Sequence, residues 1–79
     1  MTRLPSLSSA QVTRALRRAG FADAPRRGKG SHRALCREDA AGRQRLVIIP
    51  RSRDLPKGTL YAILEQAGLT AEELRELLR

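Results

Sequence analysis

The chain has 79 residues, and sixteen Lys and Arg against eight Asp and Glu give it a formal charge of +8. Ala supplies 11 of its 32 apolar residues, and a domain this small buries only roughly 60% of the surface its unfolded chain exposes, which leaves room for one thin core and none for a large cofactor. A single cysteine, Cys36, and a single histidine, His32, exclude an internal disulfide and a four-ligand zinc site, and no apolar run approaches the roughly 20 residues of a membrane span. The start, Met1-Thr2-Arg3-Leu4-Pro5, lacks the apolar stretch of a signal peptide. The expectation is one cytoplasmic domain covering residues 1–79, with no membrane contact and a strong positive field.

Ser8-Ser9-Ala10-Gln11 reads as a capping box, with Leu7 and Val12 at the staple positions on either side. Val12, Ala15, Leu16 and Ala19 then recur at helical spacing opposite Arg14, Arg17 and Arg18, and Gly20 supplies a left-handed stop. These signals predict a helix over residues 9–19. Pro25 allows only a short or edge strand after Phe21. Gly28-Lys29-Gly30 is a turn, and residues 31–37 alternate enough to make a strand. Glu38 to Gly42 is turn chemistry, and Arg43 to Ile49 forms the best strand, which Pro50 stops. Pro56 suits a first helical position, and Leu60, Ile63, Leu64 and Ala67 share one helical face before Gly68. A second capping box, Thr70-Ala71-Glu72-Glu73, opens a last short helix.

The order is helix, three-stranded antiparallel meander, helix, short helix, an α+β two-layer sandwich. Helices on one side leave the other side of the sheet to solvent or a ligand, and functional contacts are expected on that open side. Residues 26–53 hold nine cations against Glu38 and Asp39, so this segment carries +7, nearly the whole excess. Such a field attracts nucleic acid, although an Arg-rich surface can also serve solubility alone. One Phe, one Tyr and no Trp argue against stacking of splayed bases and for contacts to phosphate and sugar. Cys36 reads as a half-buried thiol and Tyr61 as a packing residue, while Arg51 and Arg53 fit an RNA clamp and a solvated loop equally well.

His32 lies in Lys29-Gly30-Ser31-His32-Arg33, where the glycines admit a close substrate and Lys29 and Arg33 can hold phosphate. Imidazole is the side chain best suited to proton transfer near neutral pH. The chemistry open to it is cleavage of RNA by the strand's own 2′-hydroxyl, with His32 as general acid or base. No Asp or Glu lies between Asp23 and Glu38 to hold a metal, so neither metal nor cofactor is expected. The competing reading is an RNA-binding module in which His32 only contacts phosphate; a domain that recruits an acidic protein is a third. Gly30 and Ser31 are assigned to the turn, Lys29 and Arg33 to phosphate, and Arg26, Arg27, Arg43 and Arg45 to a wider RNA groove.

Gly20-Phe21, Gly30-Ser31-His32, Val47-Ile48-Ile49-Pro50 and Leu55-Pro56-Lys57-Gly58-Thr59-Leu60 occur in this order. With these motifs the chain resembles the HicA (YcfA-like) toxins, small mRNA interferases of type II toxin–antitoxin modules. The resemblance runs from about Leu7 to Leu77. It implies a fold like a double-stranded-RNA-binding domain and cleavage of mRNA with the signature histidine, here His32, as catalytic residue. It also implies a HicB-type antitoxin, with an RNase-H-like domain that covers the active face and often a DNA-binding domain. The free toxin is expected to be a monomer. Many members have a second histidine two residues after the strand-ending proline, where this chain has Ser52, and Pro25 and Arg26-Arg27 replace a more apolar first strand.

Overall fold

Helix α1 (Ser9–Arg18) starts at the capping box: the Gln11 amide donates to Ser8 Oγ at 3.1 Å and the Ser8 amide to Gln11 Oε1 at 2.9 Å. Leu7 and Val12 are both buried, as a hydrophobic staple requires. The computed structural model describes residues 3–24, 30 and 32–79. Pro25 and most of the turn expected at Gly28-Lys29-Gly30 lie outside these residues.

Three antiparallel strands follow, β1 (Ala22–Asp23), β2 (His32–Glu38) and β3 (Gln44–Pro50), in spatial order β1-β2-β3. Pro50 is the last residue of β3, opposite His32, and does not stand beyond the strand. A proline lacks the amide that a ladder needs, so it is tolerated at a strand end. Cross-strand partners share a face. Arg33 with Ile49, Leu35 with Val47 and Arg37 with Arg45 therefore point one way, and Ala34 with Ile48 and Cys36 with Leu46 the other. Leu35, Val47 and Ile49 are at most 1% exposed and join Val12 and Leu16 of α1 in the core.

Helices α2 (Lys57–Ala67) and α3 (Ala71–Leu77) complete the helical layer. Pro56 is the N-cap of α2, with an extended ψ of 147°, so the helix begins at Lys57, one residue later than predicted. Leu60, Ile63, Leu64 and Ala67 are buried as their spacing predicts, and Gly68 closes α2 in the left-handed conformation at φ 72°. The Thr70 box caps α3, with Glu73 N–H to Thr70 Oγ1 at 3.1 Å. Gln66 Oε1 accepts from the Ile48 amide at 3.0 Å, so a helix side chain satisfies a backbone donor on the outer edge of β3. Tyr61 is 46% exposed and packs less than expected. The result is the two-layer α+β arrangement, consistent with the double-stranded-RNA-binding type of fold.

Two like charges, Arg37 and Arg45, stand directly opposite on the helix-facing side, which alone would destabilise the sheet. Each is drawn to a helix C-terminus, where carbonyls favour a cation. Arg37 Nη1 donates to Ala19 O at 2.6 Å, and its guanidinium lies 4.7 Å above the Phe21 ring. Arg45 packs against Gly68 so closely that a Cβ there would lie 3.2 Å from its Cζ.

Asp39 holds the β2–β3 turn. Its Oδ1 accepts from the amides of Ala41 and Arg43, at 3.0 and 2.9 Å, and its Oδ2 from Arg45 Nε at 3.1 Å. The Arg43 amide above all holds its carboxyl below the usual carboxylate range; desolvation opposes it, and Arg45 and the Ala41 amide add smaller lowering effects. A lowered folded-state pKa contributes stability that is fully present above the unfolded value of about 3.9 and is lost as pH falls through the folded value. Wild-type protein should therefore lose Tm more steeply than Asp39→Asn between about pH 5 and pH 2. Parallel melting curves would contradict this role for Asp39.

Candidate nucleic-acid site

One side of α1 carries Ser9, Thr13 and Arg17 four residues apart, with Arg14 beside them. These side chains form one wall of an open cleft of about 510 Å³. Facing them are His32 and Arg33 from the start of β2, with Gly30 just before it and Arg51 just beyond β3. Gly30 has φ 53°, a left-handed conformation that side chains resist, with nothing within 4 Å of where a Cβ would stand. Glycine is therefore required there by the backbone and not by crowding. Ile49, 1% exposed, lies at the apolar base of the cleft. Its described lining includes four arginines and no carboxylate.

Hydrogen bonds fix the two ends of this wall. Ser9 Oγ donates to Ser52 O and accepts from the Ser52 amide, both at 3.1 Å, and the Ser9 amide donates to Ser52 O at 2.9 Å. This clasp joins the first turn of α1 to the chain leaving β3 and sets Arg51 against the helix. At the other end Arg17 Nη2 lies 2.9 Å from Asp23 Oδ1, and Arg33 Nη1 lies 3.8 Å from the same oxygen. Three elements, α1, β1 and β2, thus meet at one carboxylate.

Of the residues nominated from sequence, Gly30, His32 and Arg33 line the cleft. Arg43 and Arg45 lie toward the far end of the hairpin. The Arg45 pair is five positions from the His32 pair, about 17 Å at the usual rise per strand residue. Arg26, Arg27, Lys29 and Ser31 lie outside the described residues. The side of the sheet away from the helices differs from expectation: Cys36, Leu46 and Ile48, with Ala34 buried among that face's residues, make it largely apolar, while Arg33, Arg37 and Arg45 point to the helix side. Alternation assigns His32 to the open side, yet it lies at the strand's first position, at the rim, and lines the cleft.

Sequence periodicity places Arg14 and Arg17 only on the helix face opposite the apolar one. The four-residue spacing of Ser9, Thr13 and Arg17 is the signal that could have marked that face as a wall. Thr13 is only 8% exposed, unlike a residue on a solvated face. Of the two loop arginines Arg51 reaches the cleft, and Arg53 is exposed outside its lining. Ser52 offers no imidazole; its Oγ accepts from the Asp54 amide at 3.2 Å and serves the local turn.

Among the described residues no three His, Cys, Asp or Glu side chains cluster as metal ligands, and no helix is long and apolar enough to cross a membrane. Residues 9–69 match the family of HicA toxins of bacterial toxin–antitoxin systems. The chain belongs to the HicA toxin family. The match begins at the first residue of α1 and ends just past α2, so every described element of the cleft falls inside it. No curated protein sequence shows a significant match to the chain.

The clasp gives a direct test of how this HicA protein builds its cleft. Ser9→Ala removes the hydroxyl and leaves the Ser52 amide without its partner, which costs about 1–2 kcal/mol in urea unfolding. Ser9→Thr, which keeps the hydroxyl, should retain most of that stability. Equal stability of Ser9→Ala and wild type would mean that the Ser9 hydroxyl contributes nothing to the clasp.

Proposed function

We propose that this HicA-family protein is the toxin of its toxin–antitoxin pair and acts as a metal-independent endoribonuclease that cleaves mRNA and so inhibits translation. The observation that carries the reading is the cleft itself: the chain's one histidine shares it with four arginines. A polyanion is drawn to such a cleft, and imidazole is the group that can move a proton there near neutral pH.

In the proposed reaction His32 removes the proton from a 2′-hydroxyl as that oxygen attacks the adjacent phosphorus. The bond from phosphorus to the 5′ oxygen breaks, and that oxygen takes up a proton from solvent, or from the imidazolium of His32 when the histidine acts as the acid. The products are a 2′,3′-cyclic phosphate and a 5′-hydroxyl. Water supplies neither nucleophile nor leaving group, so acid–base help and charge stabilisation suffice. Arg33, together with Lys29, neutralises the phosphorane, while Gly30 and Ser31 let the backbone approach it. Arg26 and Arg27 extend the contact with RNA, and Arg43 and Arg45 meet it only where a strand runs the length of the hairpin. The whole chain acts as one domain. A HicB-type antitoxin would silence it by covering the cleft.

The test is cleavage of an end-labelled mRNA by purified protein in excess EDTA, with His32→Ala beside it. Wild type should yield fragments ending in cyclic phosphate. His32→Ala should lose roughly 10²- to 10⁴-fold in rate, the usual contribution of one general acid or base, and still bind RNA. Binding without cleavage by the wild type would overturn the enzyme and leave an RNA-binding module. Equal cleavage by both proteins would remove His32 from the chemistry.

A further inference from the structure

Asp23 stands in an unusual place for an acid: at the edge of a cationic cleft, with Arg17 and Arg33 both turned to its Oδ1, at 2.9 and 3.8 Å. All three side chains are between 42% and 55% exposed. Ion pairs so open to water contribute little to stability, so holding the fold together does not account for the arrangement. Two guanidinia converging on one oxygen is, however, the way such groups receive a phosphate. The carboxylate sits where a phosphate oxygen would.

We propose that Arg17 and Arg33 form a phosphate seat for RNA beside His32, and that in the free protein the Asp23 carboxylate occupies this seat and must be displaced. The inference rests on the RNA-cleaving reading of the cleft and adds a control to it. From Ser9 to Arg17 the wall spans eight residues, about 12 Å of helix, longer than one phosphate. A bound strand can therefore meet Arg51 near the clasp and Arg14 partway along the wall, while its next phosphates compete with Asp23 at the other end. Because Asp23 neutralises one of the two guanidinia, RNA entering the seat releases fewer counterions than two bare cations would. The acid makes the cleft selective for ligands able to supply several phosphates at once. A mononucleotide, with one, does not dislodge it.

The test uses the full chain carrying His32→Ala, so that binding is read without cleavage, and a single-stranded RNA of about ten nucleotides as probe. Asp23→Asn keeps the shape of the side chain and removes its charge. It should tighten RNA binding roughly fivefold at low salt and steepen the salt dependence by about 0.7, the value for one single-strand phosphate contact. In the Arg17→Ala/Arg33→Ala background the same substitution should change nothing, because the seat is gone. Unchanged or weaker binding by Asp23→Asn would overturn the proposal. So would an equal gain in the background lacking both arginines, since general repulsion of RNA by the acid would then explain it. If Arg14→Ala/Arg51→Ala weakens binding and Arg17→Ala/Arg33→Ala does not, the seat falls while the RNA reading stands. RNA binding that none of these arginines affects would remove both.

Discussion

The cleft exists because the first turn of α1 is fastened to the chain leaving β3. Three hydrogen bonds between Ser9 and Ser52 make that joint, and the two sides of the cleft diverge from it. Helix α1 carries Arg14 and Arg17 away along one side. The sheet presents His32 and Arg33 along the other, with Ile49 between them at the base. A change in the angle at the joint would move the histidine against every arginine at once. Ser52 therefore matters through its backbone, which a different side chain at that position need not disturb.

Charge in this protein divides into two kinds. Arg37 and Arg45 face each other across the β2–β3 ladder and are drawn apart toward the ends of α1 and α2, one over Phe21 and the other against Gly68. These two serve the fold. Arg14, Arg17, Arg33 and Arg51 gather on one cleft, where among the described residues Asp23 at its edge pairs with two of them. Counting cations along the sequence cannot separate the two kinds, because Arg33, Arg37 and Arg45 lie in the same pair of strands and differ only in which helix end or cleft their strand position reaches.

The elements themselves were legible. Two capping boxes, the apolar faces of α1 and α2 and the β-branched run before Pro50 each pointed to one local structure, and all six elements follow in the predicted order. What could not be read was tertiary. Strand alternation gives two faces but does not say which one the helices cover, so the open side was expected to bear function and instead is largely apolar. The same gap hid Arg14 and Arg17. A helix face opposite the core looks solvated until the position of the sheet is known. Ser52 could be compared with a histidine by position, but nothing in the sequence linked it to Ser9, 43 residues earlier. Gly30, His32 and Arg33 were found because local chemistry, a permissive turn next to an imidazole and a cation, is visible without a fold.

Function as an RNA-cleaving toxin requires RNA to lie in the cleft, and amide chemical shifts of His32→Ala titrated with a single-stranded RNA measure that directly. The cleft predicts that the amides of Arg14, Arg17, Arg33 and Arg51 move together and saturate at one stoichiometry. Shifts confined to the open side of the sheet, at Cys36, Leu46 and Ile48, would contradict it.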